Sequence, residues 1–236
     1  MSVASGSAPA LILWDIDQTL IQGNGIGREI YAAGFQALTG RALEVMPDLA
    51  GRTEYAIVED VLAFNGEPES SREAFYVELE RATEKLGERM REIGRALPGA
   101  REALAALAAE LLVQSVATGN IRPIAEAKLT AFGLSEHLDV AVGGYGSDDR
   151  VRATLVRRAR ERATAKYDCE FASSRVVVVG DTPHDVRAAQ DNGAWSIGVA
   201  TGGSSVAVLA DAGADVVLSS LADTSAVVDV VAGLLR

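Results

Sequence analysis

The run RVVVVGD at residues 175–181 is apolar through its valines before it ends in glycine and aspartate. A strand with one wet face alternates apolar and polar residues, so an unbroken valine run needs cover on both faces. Runs of similar character recur at ALILWD (10–15), LLVQSVATGN (111–120), LDVAVGG (138–144), WSIGVAT (195–201) and ADVVLSS (214–220). Helical patterns lie between most of them, at 101–111, 124–134, 151–163 and 184–193. Strand and helix in alternation predict a parallel sheet joined by right-handed crossovers.

Residues 23–95 break that rhythm, with helical patterns at 28–38, 54–64 and 72–93 and no convincing strand. Gly66 reads as the stop of the second helix, and Ser70 with Glu73 has capping-box spacing ahead of the third. Leu97-Pro98-Gly99 marks the return to the alternating pattern. The expected fold is therefore α/β, a Rossmann-like parallel sheet core with helices on both faces. Residues 1–22 and 98–236 form this core, and residues 23–97 form an all-helical cap inserted after the first strand.

Asp15 and Asp17 follow the first strand run one residue apart. Continued as strand, they would hold two like charges on one face, which a cation or a proton must relieve. Open parallel sheets bind ligands outside the carboxyl ends of their strands. Other strand ends bring matching groups there: Thr118, Gly119 and Asn120; Asp181 with Asp185 one turn on; and Arg150 after the run at 138–144. Converging carboxylates of this sort suit Mg²⁺, a hard cation that also accepts phosphate oxygens.

The net charge of −11 argues against nonspecific nucleic-acid binding, which needs lysine and arginine to neutralise phosphates. The run VRRARER (156–162) reads as a solvated helix face. A single cysteine, Cys169, forms no intrachain disulfide and sits between acids that raise a thiol pKa. No apolar stretch nears the ~20 residues that span a bilayer, and MSVASGSAPA lacks a basic leader. A cytoplasmic monomer or homodimer is expected, with no membrane partner. His184, His137, Trp14 and Trp195 read as rim, surface or packing residues.

DIDQT at 15–19 resembles the DxDxT signature of the haloacid dehalogenase superfamily. TGN at 118–120 looks like its second motif and GDTPHD at 180–185 like its fourth, in the right order. The helical insertion is what members with a helical cap show, so the resemblance spans the chain. AGRTEYAI (50–57) is similar to a GxTD-type segment of phosphoglycolate-phosphatase-like members, which implies substrate contacts from Arg52 and Thr53. The resemblance implies Asp15 as nucleophile, Asp17 as acid and base, and phosphate binding by Thr118, Gly119 and Asn120. It implies a metal site of Asp15, Asp17 through its backbone carbonyl, Asp181 and Asp185. The third-motif cation falls on Arg150, with Lys128 and Arg152 as alternatives. Gln18 departs from the family, where many members carry glycine. The implied function is Mg²⁺-dependent hydrolysis of a small phosphorylated metabolite, such as phosphoglycolate or a sugar phosphate, through an aspartyl-phosphate. Asp17 together with Asp181 points to phosphorus rather than carbon as the centre attacked. A phosphomutase of the β-phosphoglucomutase type and a phospho-aspartate signalling module are the alternatives.

Overall fold

A computed structural model describes residues 9–110 and 112–236. The first eight residues and Leu111 lie outside it, and with them most of the expected leader-free N-terminus and the junction of the runs at 101–111 and 111–120. Along the chain run β1 (Leu11–Trp14), β2 (Ile21–Gln22), α1 (Ile26–Thr39), α2 (Glu54–Phe64), α3 (Arg72–Lys85), α4 (Gly87–Ile93) and β3 (Arg95–Ala96). Then follow α5 (Ala100–Ala109), β4 (Val113–Thr118), α6 (Arg122–Ala131), β5 (Gly144–Tyr145), α7 (Arg152–Tyr167) and β6 (Val176–Gly180). The remainder is α8 (Pro183–Gln190), β7 (Trp195–Val199), α9 (Val206–Asp211), β8 (Val216–Leu218) and α10 (Thr224–Leu234).

Six strands form one parallel sheet in the order β5-β4-β1-β6-β7-β8. Leu11 is in register with Val113 on one side and Val176 on the other, so β1 lies between the two halves of the sheet. Alternate side chains of the strands enter separate cores. Ile12, Trp14, Val177 and Val179 pack with α5, α6 and α10, whereas Leu11, Leu13, Val176 and Val178 pack with α7 and α8. Cover on both faces is why the valine run carries no polar residue. Among the described residues no helix is long and apolar enough to cross a membrane.

The chain leaves and re-enters this body through a two-stranded antiparallel ribbon, β2 with β3, pairing Ile21 with Ala96. Helices α1 to α4 between them share a core of their own, which also takes in Ile121 and Ile124 at the start of α6. Phe75 centres it, edge-on to Tyr31 at 5.9 Å and to Phe35 at 6.1 Å between ring centroids. Phe75→Ala should cost ~3–5 kcal/mol in equilibrium denaturant unfolding, because a fully buried ring leaves a cavity.

Three local expectations are corrected. The run LDVAVGG forms only the two-residue β5, because the Asp139 carboxylate accepts the Ala141 amide at 3.1 Å and tightens 140–142 into a 3₁₀ turn. The pattern at 72–93 divides at Leu86, next to Gly87, a weak helix former. Ser70 lies inside a 3₁₀ turn, and Ser71, which makes no side-chain cap bond, precedes α3. Gly66, at φ 76°, follows α2 as expected.

Candidate active site

The sheet order reverses direction at β1, so a crevice opens where the carboxyl ends of β1, β4 and β6 meet. A cavity of about 550 Å³ fills that crevice and continues beneath the helical insertion. Asp15 follows β1 and donates its amide to the Val179 carbonyl at 2.8 Å, which seats it beside β6. Carboxylate oxygens of Asp15, Asp181 and Asp185, all buried, lie within 4.8 Å of one another. Gly202 matters here for lack of a side chain, since a Cβ would fall 1.8 Å from Asp181 Oδ2.

Burial raises Asp15 to about 7, with Asp185 and Asp17 adding to the rise and Arg152 opposing it. Burial likewise raises Asp181 to about 8, reinforced by Asp15 and Asp185. Hard, buried, mutually repelling oxygens of this kind fit a divalent cation such as Mg²⁺. In metal-free protein the folded chain keeps protons that the unfolded chain, with its carboxyls at 3.8, has lost. That contribution is fully present below pH 3.8 and is lost as pH rises through about 7 and about 8. Thermal denaturation in chelator should therefore show a lower midpoint at about pH 8.5 than at about pH 5.5, and Mg²⁺ should narrow the difference.

Asp185 is heavily committed. Thr182 donates its amide and hydroxyl to one oxygen at 3.1 and 2.6 Å, closing the box that starts α8. Arg152 reaches the other oxygen at 2.6 Å and Asp15 at 2.9 Å, so this buried guanidinium bridges two acids.

The Asp17 carboxylate stands apart from the acidic triad. Lys128 meets its two oxygens at 2.6 and 2.8 Å, and the Asn120 amide donates to it at 2.7 Å. Burial would push Asp17 up, but Lys128, through its charge and its hydrogen bonds, and Asn120 hold it below the usual carboxylate value. Asn120 also accepts from Lys128 at 2.8 Å and donates to the Thr118 hydroxyl at 2.9 Å. Thr118, at the end of β4, thus orders the amide that orders Asp17.

The insertion closes over this rim by main-chain contacts. Glu54 donates its amide to the Gly119 carbonyl at 2.7 Å, and Tyr55 donates to Gly146 at 2.9 Å. The approach is tight enough that a Cβ at Gly119 would meet the Arg52 carbonyl oxygen at 2.1 Å.

Among the expected residues, Asp15, Asp17, Thr118, Gly119, Asn120, Arg52 and Asp181 line the cavity. Arg52 does so with its charge already taken by Asp60 at 2.6 Å. Arg150 and Thr53 do not join them. Arg150 precedes α7 and turns outward to Glu59 of α2, with its side chain 58% exposed. The alternatives, Lys128 and Arg152, do reach the cavity. Thr53 accepts the Ala56 amide as the N-cap of α2 and donates to the Arg150 carbonyl at 3.0 Å. Sequence reasoning passed over Glu54 and Tyr31, which line the same cavity. Glu54 had a signal, its place directly after Thr53 in AGRTEYAI; Tyr31 had none, since its helix face reads as ordinary core.

Residues 12–190 match the model of the haloacid dehalogenase-like hydrolases. The chain belongs to that family. None of the curated proteins matches the sequence. In structure this hydrolase is similar to CbbY from Rhodobacter sphaeroides in complex with phosphate, at 21% identity and a TM-score of 0.71, covering 94% of this chain and 99% of that one. It is also similar to a hydrolase from Pseudomonas syringae, at 24% identity and a TM-score of 0.64, covering 93% and 98%. A predicted phosphoglycolate phosphatase from Haemophilus somnus is 19% identical, with a TM-score of 0.65 and coverage of 93% and 98%. At these identities the likeness is one of fold.

Proposed function

We propose that this hydrolase is an Mg²⁺-dependent phosphatase of small phosphorylated metabolites. The observation that carries the reading is the meeting of Asp15 with a buried metal-fitting acid set, beside a second acid held by a lysine. Asp15 attacks phosphorus and the ester P–O bond breaks, leaving an aspartyl-phosphate. Asp17 gives a proton to the departing alkoxide and then takes one from the attacking water, help worth ~10²–10⁴-fold. Inorganic phosphate leaves and Asp15 is restored. Asp15 and Asp181 would hold the magnesium ion, which when bound offsets the repulsion between the Asp15 carboxylate and the phosphate.

The remaining roles follow from the contacts. Arg152 orients Asp15, and Asp185 anchors Arg152. Lys128 ties down Asp17 in the free enzyme; an incoming phosphate dianion competes for the ammonium, loosens that hold and favours protonation of Asp17. Residues 23–97 act as the cap that excludes water. The test is release of inorganic phosphate from p-nitrophenyl phosphate by purified protein. Release with Mg²⁺ that stops in chelator supports the reading; no release from it or from a panel of sugar phosphates and short phosphorylated acids would sink it.

A further inference from the structure

Beyond the acidic rim the cavity is lined by residues of the insertion, among them Ile26, Leu49 and Ile57 and the polar side chains of Tyr31 and Glu54. Tyr31 is 2% exposed, and among the described residues its hydroxyl meets no hydrogen-bond partner. Such a group is costly to bury and calls for a partner from outside the chain. Glu54 is 5% exposed; one oxygen takes the Ile121 amide, and among the described residues no donor meets the other. Glu54 takes the amide of Ile121, the residue after the Asn120 that holds Asp17, and Tyr31 lines the same cavity as Glu54, Asn120 and Asp17.

We propose that Tyr31 and Glu54 form a leaving-group subsite that binds a hydroxyl of the substrate's alcohol portion, selecting phosphate esters of hydroxylated, uncharged alcohols over phosphorylated carboxylic acids. A hydroxyl both donates and accepts, so it satisfies the free Glu54 oxygen and the Tyr31 phenol together. Burial raises Glu54 to about 7, so at about pH 8, where the esters are compared, a ligand carboxylate would face a second carboxylate in a desolvated wall and be disfavoured. The neighbouring cations do not reverse this: Arg52 is paired with Asp60, Lys128 with Asp17, and Arg28 is exposed to solvent. The subsite deepens the phosphatase reading and rests on it for which end of the cavity holds the phosphate.

The test compares three two-carbon esters with Mg²⁺: ethyl phosphate, 2-hydroxyethyl phosphate and 2-phosphoglycolate. Wild-type kcat/KM should favour 2-hydroxyethyl phosphate over ethyl phosphate by about tenfold or more, since two hydrogen bonds are gained, and over 2-phosphoglycolate as well. Tyr31→Phe should lower the first ratio several-fold, the bond to Glu54 remaining, with no fall in melting temperature, because among the described residues the hydroxyl it removes has no partner. Glu54→Gln should narrow the gap to 2-phosphoglycolate. A ratio unchanged in Tyr31→Phe, or a wild-type preference for 2-phosphoglycolate or ethyl phosphate, overturns the subsite. Calorimetric binding of the three esters to Asp15→Asn separates the two readings. If none is hydrolysed yet 2-hydroxyethyl phosphate binds best, the hydrolase reading falls and the subsite stands; if none binds, the subsite falls.

Discussion

Asp15→Asn should lower phosphate release by ~10⁴-fold or more, with the fold intact. The backbone amide at 15 still donates to the Val179 carbonyl, but a side-chain amide of the same shape as the carboxylate is a poor nucleophile toward phosphorus. The change also removes one of three crowded carboxylates, so burial no longer has a repelling group at that corner. Arg152 loses one partner but keeps Asp185 at 2.6 Å, so metal-free Asp15→Asn should melt close to metal-free wild type. Loss of turnover with stability kept, read by a phosphate assay and thermal denaturation on the same preparation, is the pattern expected of a nucleophile. Full activity in this variant would remove Asp15 from the chemistry.

The second large effect belongs to Arg152. Its side chain is 9% exposed and supplies positive charge to Asp15 at 2.9 Å and to Asp185 at 2.6 Å. Truncation leaves buried carboxylates without that partner, and breaking a buried ion pair from one side costs ~3–5 kcal/mol. Arg152→Met should show a loss of that order in urea unfolding without metal, measured near neutral pH. Mg²⁺ should recover part of it, since the cation restores charge at Asp15 and Asp181 but not the contact to Asp185. Turnover should fall also, because Asp15 loses its orienting partner. By contrast, Arg150→Met should change stability little, as its pair with Glu59 is largely solvated.

How far each residue was legible depends on how local its cause is. The acids follow strand runs directly, and a strand end fixes the position of the next residue, so Asp15, Thr118 and Asp181 could be placed by reading along the chain. Lys128 carries a legible mark: it lies on α6 among Ile124, Ala125 and Leu129, which are buried, and a lysine on an apolar helix face needs a partner. Choosing between Arg150 and Arg152 was beyond sequence, because two residues of loop-to-helix transition decide which guanidinium turns inward. Gln18 shows the reverse case: the glycine preference at that position is a backbone preference, and the structure holds Gln18 at φ 63°. A left-handed conformation costs a non-glycine residue ~1–2 kcal/mol, so the departure strains the turn without touching a reacting group. Helix α10 was missed because its valine-rich sequence has weak helix propensity; burial of Val227 and Val231 against the sheet overrides it.

By itself the sequence determined that strands covered on both faces alternate with helices, and that the acids gather at one edge, since hydrophobic period and strand order act over a few residues. Tertiary structure alone decided which cation meets which acid, how closely the insertion rests on Gly119, and that Tyr31 and Glu54 share a wall. Those facts join residues far apart in the chain, such as Asp17 and Lys128, and their distances arise only when separate layers pack together.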